Sequence, residues 1–265
     1  MYCDYYGLKI SPFNVTSDPE FFFESVSHKE ALACLLYGVE DKKGIILITG
    51  EVGTGKTTLC KAFLNRLNPQ AKVSIIFNPY FDEVQLLQAI VEDFGLRLEK
   101  KSRLDIAKKL DSFLIDISLK GGNAVLIIDE AQNLTGHQLE QIRLLSNLET
   151  SQEKLLQIVL VGQPELSDKL EQFHLRQIRQ RIFVKYNISP LKEEEVKNYV
   201  EFRLKKSGKN KIKILPGCYK VIYDFSGGIP RLVNMLCDRA LLLGFVREKM
   251  ILDQEMFESC VKEIR

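Results

Sequence analysis

No apolar run in the 265-residue sequence approaches the ~20 residues a bilayer-spanning helix needs. The longest, Ala240 to Val246, is far short of that. The opening stretch, MYCDYYGLKI, has no basic region and no apolar core, so it does not read as a secretory signal. The cysteines (Cys3, Cys34, Cys60, Cys218, Cys237, Cys260) form no CxxC pair and no metal-ligand spacing. Cys34, Cys60 and Cys237 sit in apolar helical patterns, and all are read as reduced thiols of a cytoplasmic protein, mostly small core residues. An excess of one charge is also missing. Lys+Arg minus Asp+Glu is 37 − 35, or +2, which gives no global reason to expect a polyanionic partner. There is no internal repeat and no low-complexity segment. What is present is ordinary globular composition, 45% hydrophobic and 27% charged. That argues against long disorder and leaves room for one large domain or two small ones.

Short β-rich apolar runs alternate with helical patterns. The strand candidates are Ile45–Thr49, Val73–Phe77, Ala124–Asp129, Ile158–Gly162 and Phe183–Ile188. Four of them lack polar–apolar alternation, as expected of strands covered on both faces of a parallel sheet. Ser102-x-x-Asp105 and Thr135-x-x-Gln138 look like capping boxes that open two of the intervening helices. The reading is an α/β domain over residues 1–190. Ser189-Pro190 then suits an N-cap followed by proline at the first helical position. Beyond it only helices are expected, at about 191–206, 215–226, 229–247 and 253–264. The last places Met256, Phe257, Cys260, Val261 and Ile264 on one face. Residues 191–265 are thus expected to form a small all-helical domain.

Residues 50–57 match G-x-x-x-x-G-K-[ST]: Gly50, Glu51, Val52, Gly53, Thr54, Gly55, Lys56, Thr57, with Thr58 following. The strand IILIT precedes the motif and a helical pattern follows, which is the context a phosphate-binding loop requires. Glycines let backbone N–H groups turn inward around phosphate oxygens. The helix that follows points its positive end at the same anion. Lys56 would reach the β- and γ-phosphates of ATP, and the Thr57 hydroxyl would bind Mg²⁺. A second motif is independent of the first. The run Ala124–Ile128 ends in Asp129-Glu130, and two adjacent carboxylates at the end of a buried strand are costly unless something there is cationic. Asp129 would hold Mg²⁺, and Glu130 would polarise an attacking water as general base.

The two motif strands are expected to be separated by another strand, Val73–Phe77, and the second motif carries the extra glutamate. With a helical lid attached, the sequence resembles the AAA+ superfamily of P-loop ATPases: a five-stranded parallel sheet followed by a helical lid domain. That resemblance implies three further roles. The polar "sensor 1" position at the end of the next strand falls on Gln163, where AAA+ proteins more often have Asn or Thr. The arginine finger, which reaches a neighbouring subunit's γ-phosphate, lies just before the fifth strand. Arg181 in LRQIRQRI matches it, with Arg179 a close competitor; Arg176 precedes both. The "sensor 2" arginine at the start of a lid helix falls on Arg231 in Gly227-Gly228-Ile229-Pro230-Arg231. A cation in a first helical turn is opposed by the helix dipole, which a bound γ-phosphate would offset.

The N-terminal stretch is distinctive: Tyr5-Tyr6-Gly7-Leu8, Pro12-Phe13, Asp18-Pro19-x-Phe21 and His28-x-Glu30-Ala31-Leu32. Together with GEVGTGKTT, LIIDEAQNL, LVGQPEL, LRQIRQRI and GGIPRLVNMLCDRALL, it closely resembles the ExeA/GspA family over nearly the whole chain. MSHA-pilus biogenesis ATPases and exosortase-associated ATPases share its core motifs, as do, more distantly, transposition ATPases of the TnsC/TniB kind. The resemblance places residues 1–40 near the nucleotide, with Pro12, Phe13 and His28 close to adenine; ordinary packing of Phe13, Phe21, Phe22 and Phe23 is the competing reading. Many members continue into a transmembrane helix and a peptidoglycan-binding region. This sequence stops after the lid, as a short member or an excised part would, so peptidoglycan binding is not carried over.

The function the resemblance implies is an ATP hydrolase working as a homo-oligomer, a ring in its simplest form. It would drive assembly of a bacterial type II secretion, pilus or exopolysaccharide-export complex through an inner-membrane partner, at the inner face of the cytoplasmic membrane. A DNA-handling ATPase of the transposition type is the alternative. Its local hint is the lysine run Lys205, Lys206, Lys209, Lys211 and Lys213, which reads better as a solvated loop. A nucleotide-dependent switch with negligible turnover is the third reading, which Glu130 argues against. A helicase reading of the DEAQ string is weak, because no second motor domain is present.

Overall fold

The computed structural model describes residues 2–14, 16–98, 102–151, 153–208 and 211–264. In chain order the first elements are α1 (Tyr2–Tyr6), α2 (Val26–Glu40), β1 (Ile45–Gly50), α3 (Lys56–Leu64), β2 (Lys72–Ile76), α4 (Glu83–Asp93), α5 (Arg103–Leu119) and β3 (Ala124–Ile128). Next come α6 (Gly136–Leu145), β4 (Leu156–Gly162), α7 (Pro164–Leu170), α8 (Arg176–Arg179) and β5 (Ile182–Ile188). The C-terminal part holds α9 (Glu193–Lys206), β6 (Lys213–Ile214), α10 (Gly217–Ser226), α11 (Pro230–Val246), β7 (Ile251–Leu252) and α12 (Gln254–Ile264). Two compact units result. One comprises residues 30–50 and 63–188; the other comprises residues 1–29, 51–62 and 189–265.

The first unit is built on a parallel sheet of order β2-β3-β4-β1-β5. Its burial follows position in that order. β1, β3 and β4 are buried along their whole length, as near-continuous Ile/Val/Leu runs require in a sheet covered on both faces. The edge strands β2 and β5 are only partly covered, and β5 alternates, with Phe183, Lys185 and Asn187 outward. The strand that inserts between β1 and β3 is β4; β2, which lies between them along the chain, goes to the edge. One core of this unit joins Ile45 and Leu47 to Leu126, Ile128, Ile158 and Leu160 of the sheet and to Leu86, Ile90, Leu110, Leu114, Leu139 and Ile142 of the helices. All three central strands run in register and in one direction. Their C-terminal ends therefore emerge at one end of the sheet, where open α/β sheets carry their sites.

The second unit is a helical bundle with its own core, in which Val196, Val200, Ile222, Val233, Leu236, Leu241, Met256 and Phe257 meet Tyr6, Leu8 and Phe13 of the N-terminal segment. Gly244 lets the ring of Tyr6 approach: a Cβ there would meet the Tyr6 hydroxyl at 2.4 Å. This region is helical as expected, with one addition. Residues 213–214 and 251–252 pair as two short parallel strands, too short to leave a periodic signal. The helix after β5 also departs from expectation. Ser189-Pro190 does not open it; α9 begins at Glu193 behind Lys192. The Ser189 amide instead donates to Ser27 Oγ at 3.0 Å, and the Leu191 amide to the Gly228 carbonyl at 2.9 Å. Those bonds hold the segment extended, and Glu193, Glu194 and Glu195 then supply the acidic first turn that the helix dipole favours.

Candidate functional site

The phosphate-loop motif leads from the end of β1 into α3, which starts at Lys56. Gly53 and Gly55 have φ of +84° and +97°, conformations that exclude most side chains, so these two positions demand glycine. Three of the loop's carbonyls are engaged. Glu51 O accepts from Thr54 Oγ1 (2.8 Å), from the Thr54 amide (3.2 Å) and from Lys56 Nζ (3.0 Å). Gly53 O accepts from the Arg231 amide at 3.2 Å. Thr54 O accepts from His28 Nε2 at 2.9 Å. Thr54 and Lys56 are buried, Thr57 and Thr58 half-buried on the first turn of α3, and Val52 exposed at the loop tip. The N–H groups of a helix's first turn have no partner within the helix, so this end is suited to an anion.

Arg231 is the second residue of α11, behind Pro230 at the first position, as the sequence implied. Its stem packs on Gly53, where a Cβ would lie 2.7 Å from Arg231 Cβ and 3.1 Å from Ile229 Cγ2. Gly227 closes α10 in the left-handed region. Gly228, at φ +77°, is irreplaceable sterically, because a Cβ would stand 1.9 Å from the Leu191 carbonyl oxygen.

A second cluster forms in the sheet unit at the end of β3. Asp129 is 3% exposed; its Oδ1 accepts from the Glu130 amide at 2.9 Å, and its own amide donates to Ile76 O at 2.9 Å. Glu130 adopts φ +52°, a region non-glycine residues rarely occupy. Its Oε2 accepts from Gln132 Nε2 and, at 3.3 Å, from Gln163 Nε2. Gln132 Oε1 in turn accepts from the Gln163 amide at 3.1 Å. Lys169 Nζ donates to the carbonyls of Gln132 and Leu134. Gln163 thus stands where β4 ends, against Glu130.

The three arginines before β5 have different surroundings. Arg179 is ion-paired with Glu171. Arg176 stacks over the exposed Phe173 ring, 4.6 Å from its centroid. Arg181, half-buried, contributes its charge to Glu140 and Glu149. Hydrogen bonding from Arg143 is the first cause that holds the Glu140 carboxyl below its ordinary range, and Lys154 does the same for Glu149. Of the lysine run, Lys205 and Lys206 close α9 and Lys213 lies in β6, while Lys209 falls outside the described residues.

The loop by itself presents glycine positions where side chains would clash and a buried lysine, a set suited to phosphate; in the sheet unit, a buried carboxylate ends β3. Among the described residues no group of three His, Cys, Asp or Glu side chains forms a metal site of its own, and no helix is long and apolar enough to cross a membrane. Gln132, Ser25 and Lys169 belong to no motif whose spacing gives them a role in the sequence. The DEAQ string held Gln132, but only the chain's turn after β3 brings it to Glu130. His28 was expected near adenine; it lies on the loop's Thr54 carbonyl. Phe13 packs in the helical unit's core, and Pro12 O accepts from the buried Arg203 Nε at 2.5 Å.

This sheet order, with the phosphate-loop strand β1 and the acidic strand β3 on either side of β4, together with a helical unit, is the fold of P-loop AAA+ proteins. Residues 39–170 match the AAA domain family. Over 249 residues, 93% of its length, the chain is 43% identical to General secretion pathway protein A of Aeromonas hydrophila. It spans 45% of that curated relative. Among solved structures, the ORC2 protein of Aeropyrum pernix in its ADPNP–ADP complexes superposes with a TM-score of 0.71 at 17% identity, covering 95% of this chain and 71% of that one. The RuvB Holliday junction branch migration motor of Thermotoga maritima superposes with a TM-score of 0.61 at 18% identity, covering 91% of this chain and 70% of that one. These two likenesses carry the fold.

Proposed function

We propose that the protein is a Mg²⁺-dependent ATP hydrolase that works as a homo-oligomer in the assembly of a bacterial secretion complex. The phosphate-loop amides and Lys56 bind the β- and γ-phosphates, and Gly50 to Thr58 form the cradle. Thr57 and Asp129 hold Mg²⁺, which when bound neutralises charge on the phosphoryl group being transferred. Glu130 accepts the proton of the attacking water. Gln132 and Gln163 hold its carboxylate and set the direction in which its free lone pairs point. Arg231 contributes positive charge to the γ-phosphate from within the chain, and Arg181 from a neighbouring subunit. Arg179 is the less suited finger, since leaving Glu171 would break an ion pair. The observation that carries the hydrolytic reading is Glu130 itself, a carboxylate held at the end of β3 by two glutamine amides. The secretion context and the inner-membrane partner rest on the likeness to General secretion pathway protein A, with the cytoplasmic face of that membrane as the place of action.

The test is ATPase rate against protein concentration, with and without double-stranded DNA, for wild type and Glu130→Gln. The expected result is a rate per subunit that rises with concentration, ignores DNA and drops by about 10²-fold or more in the variant. Strong stimulation by DNA would turn the reading to a DNA-handling ATPase. No turnover with nucleotide still bound would leave a nucleotide switch.

A further inference from the structure

A phosphate loop works by turning successive N–H groups toward an anion, so its carbonyls face the other way and need donors there. In this protein the donor to Thr54 O is a side chain brought from outside the loop. His28, in the first turn of α2 and 4% exposed, places Nε2 at 2.9 Å from that oxygen. The ring is fixed from its other side as well. Ser25 Oγ lies 2.7 Å from Nδ1, and the Phe22 ring stands nearly perpendicular to the imidazole with the ring centroids 5.4 Å apart. A carbonyl can only accept, so Nε2 carries the proton; burial keeps the ring neutral, and Nδ1 then accepts from the Ser25 hydroxyl. The turn that holds His28 is itself tied down: the Val26 amide donates to Glu195 Oε1 at 2.9 Å, and Ser27 Oγ accepts from the Ser189 amide. Gly55 closes the arrangement, because a Cβ there would come within 3.2 Å of His28 Nε2.

We infer that His28 is a positioning residue for nucleotide binding: its Nε2–H locks the Thr54 carbonyl away from the phosphates and so presets the Gly55 amide, which shares that peptide plane, toward them. The inference rests on the nucleotide-binding reading above. It goes beyond it by giving the N-terminal segment a defined task in the phosphate loop.

The test uses the full chain and two substitutions. Glutamine can carry an N–H to where Nε2 stands, whereas asparagine reaches only as far as Nδ1. Binding of a fluorescent ATP analogue with Mg²⁺ is titrated, and hydrogen exchange of residues 51–57 is followed without nucleotide. His28→Asn is expected to bind about tenfold more weakly, a change of about 1.4 kcal/mol, with faster exchange in the loop, and His28→Gln to stay within about twofold of wild type. Equal weakening in both variants in step with lost thermal stability, or wild-type binding by His28→Asn, overturns the inference and leaves the nucleotide reading standing. Failure of the wild type to bind nucleotide overturns both. Should the variants not fold, ¹⁵N NMR of the wild type still decides: a His28 ring protonated at Nδ1 alone overturns the assignment, and one protonated at Nε2 supports it.

Discussion

Glu130 shows how much of the chemistry is decided at single residues. A glutamate at φ +52° is strained by a cost of the order of 1–3 kcal/mol, and such strain persists only where the surroundings over-determine it. Here the over-determination is visible in the two glutamine amides on one carboxylate oxygen and in the Asp129 carboxylate on the Glu130 amide. His28 is the other residue whose state matters. Burial holds its pKa below the ordinary value near 6.5, against the opposite pull of the Thr54 carbonyl and the Glu195 carboxylate. The unfolded chain therefore binds a proton that the folded protein resists, and stability is lost as pH falls below about 6.5. Denaturant unfolding at about pH 7.5 and about pH 5.5 is expected to show this loss in the wild type and a smaller one in His28→Gln, which has no imidazole to protonate at this site.

Elements formed where local chemistry and tertiary context agreed. The Thr135–Gln138 capping box is complete: Thr135 Oγ1 accepts from the Gln138 amide at 3.2 Å, and Gln138 Oε1 accepts from the Thr135 amide at 2.8 Å. Thr135→Ala is expected to cost about 1 kcal/mol in denaturant unfolding. At Ser102 the cap accepts from the Asp105 amide, while the Ser102 hydroxyl donates to the Asp105 carboxylate. A further capping box, Asp82 with Gln85, opens α4 and was not picked out from the sequence. The Ser189-Pro190 signal was outweighed, because the Ser189 and Leu191 amides donate to Ser27 Oγ and Gly228 O and keep this stretch extended. A local preference worth about 1 kcal/mol yields readily to two such tertiary hydrogen bonds.

At the scale of the whole molecule, a ligand that binds only the folded protein raises its stability by mass action. Mg²⁺ with ATP at about a hundred times its dissociation constant adds roughly 2.7 kcal/mol, and for a chain of this size each 1 kcal/mol moves the melting point by about 2–4 °C. Thermal unfolding of the wild type should therefore shift upward by several degrees with Mg²⁺ and ATP, and that of Lys56→Ala by much less. Equal shifts in the two would remove Lys56 from the binding role.

The strands were legible because central strands covered on both faces have to be continuous apolar runs, and β1, β3 and β4 read that way. The turn after β1 was legible because Gly53 and Gly55, both at positive φ, stand where the backbone needs that freedom before α3 begins at Lys56. Asp129 and Glu130 were legible because paired carboxylates at a buried strand's end are anomalous. The order of the strands was not legible: which strand lies between β1 and β3 depends on crossovers, and no short-range pattern encodes those. Nor was the company each site residue keeps. Gln132 and Gln163 lie 31 positions apart and His28 and Thr54 26 apart, so their hydrogen bonds exist only once the chain has folded back. Residue type and spacing, which set which chemistry is available, were written in the sequence. Partner and orientation, which set what those groups do, depend on contacts between distant segments and were decided by the tertiary structure.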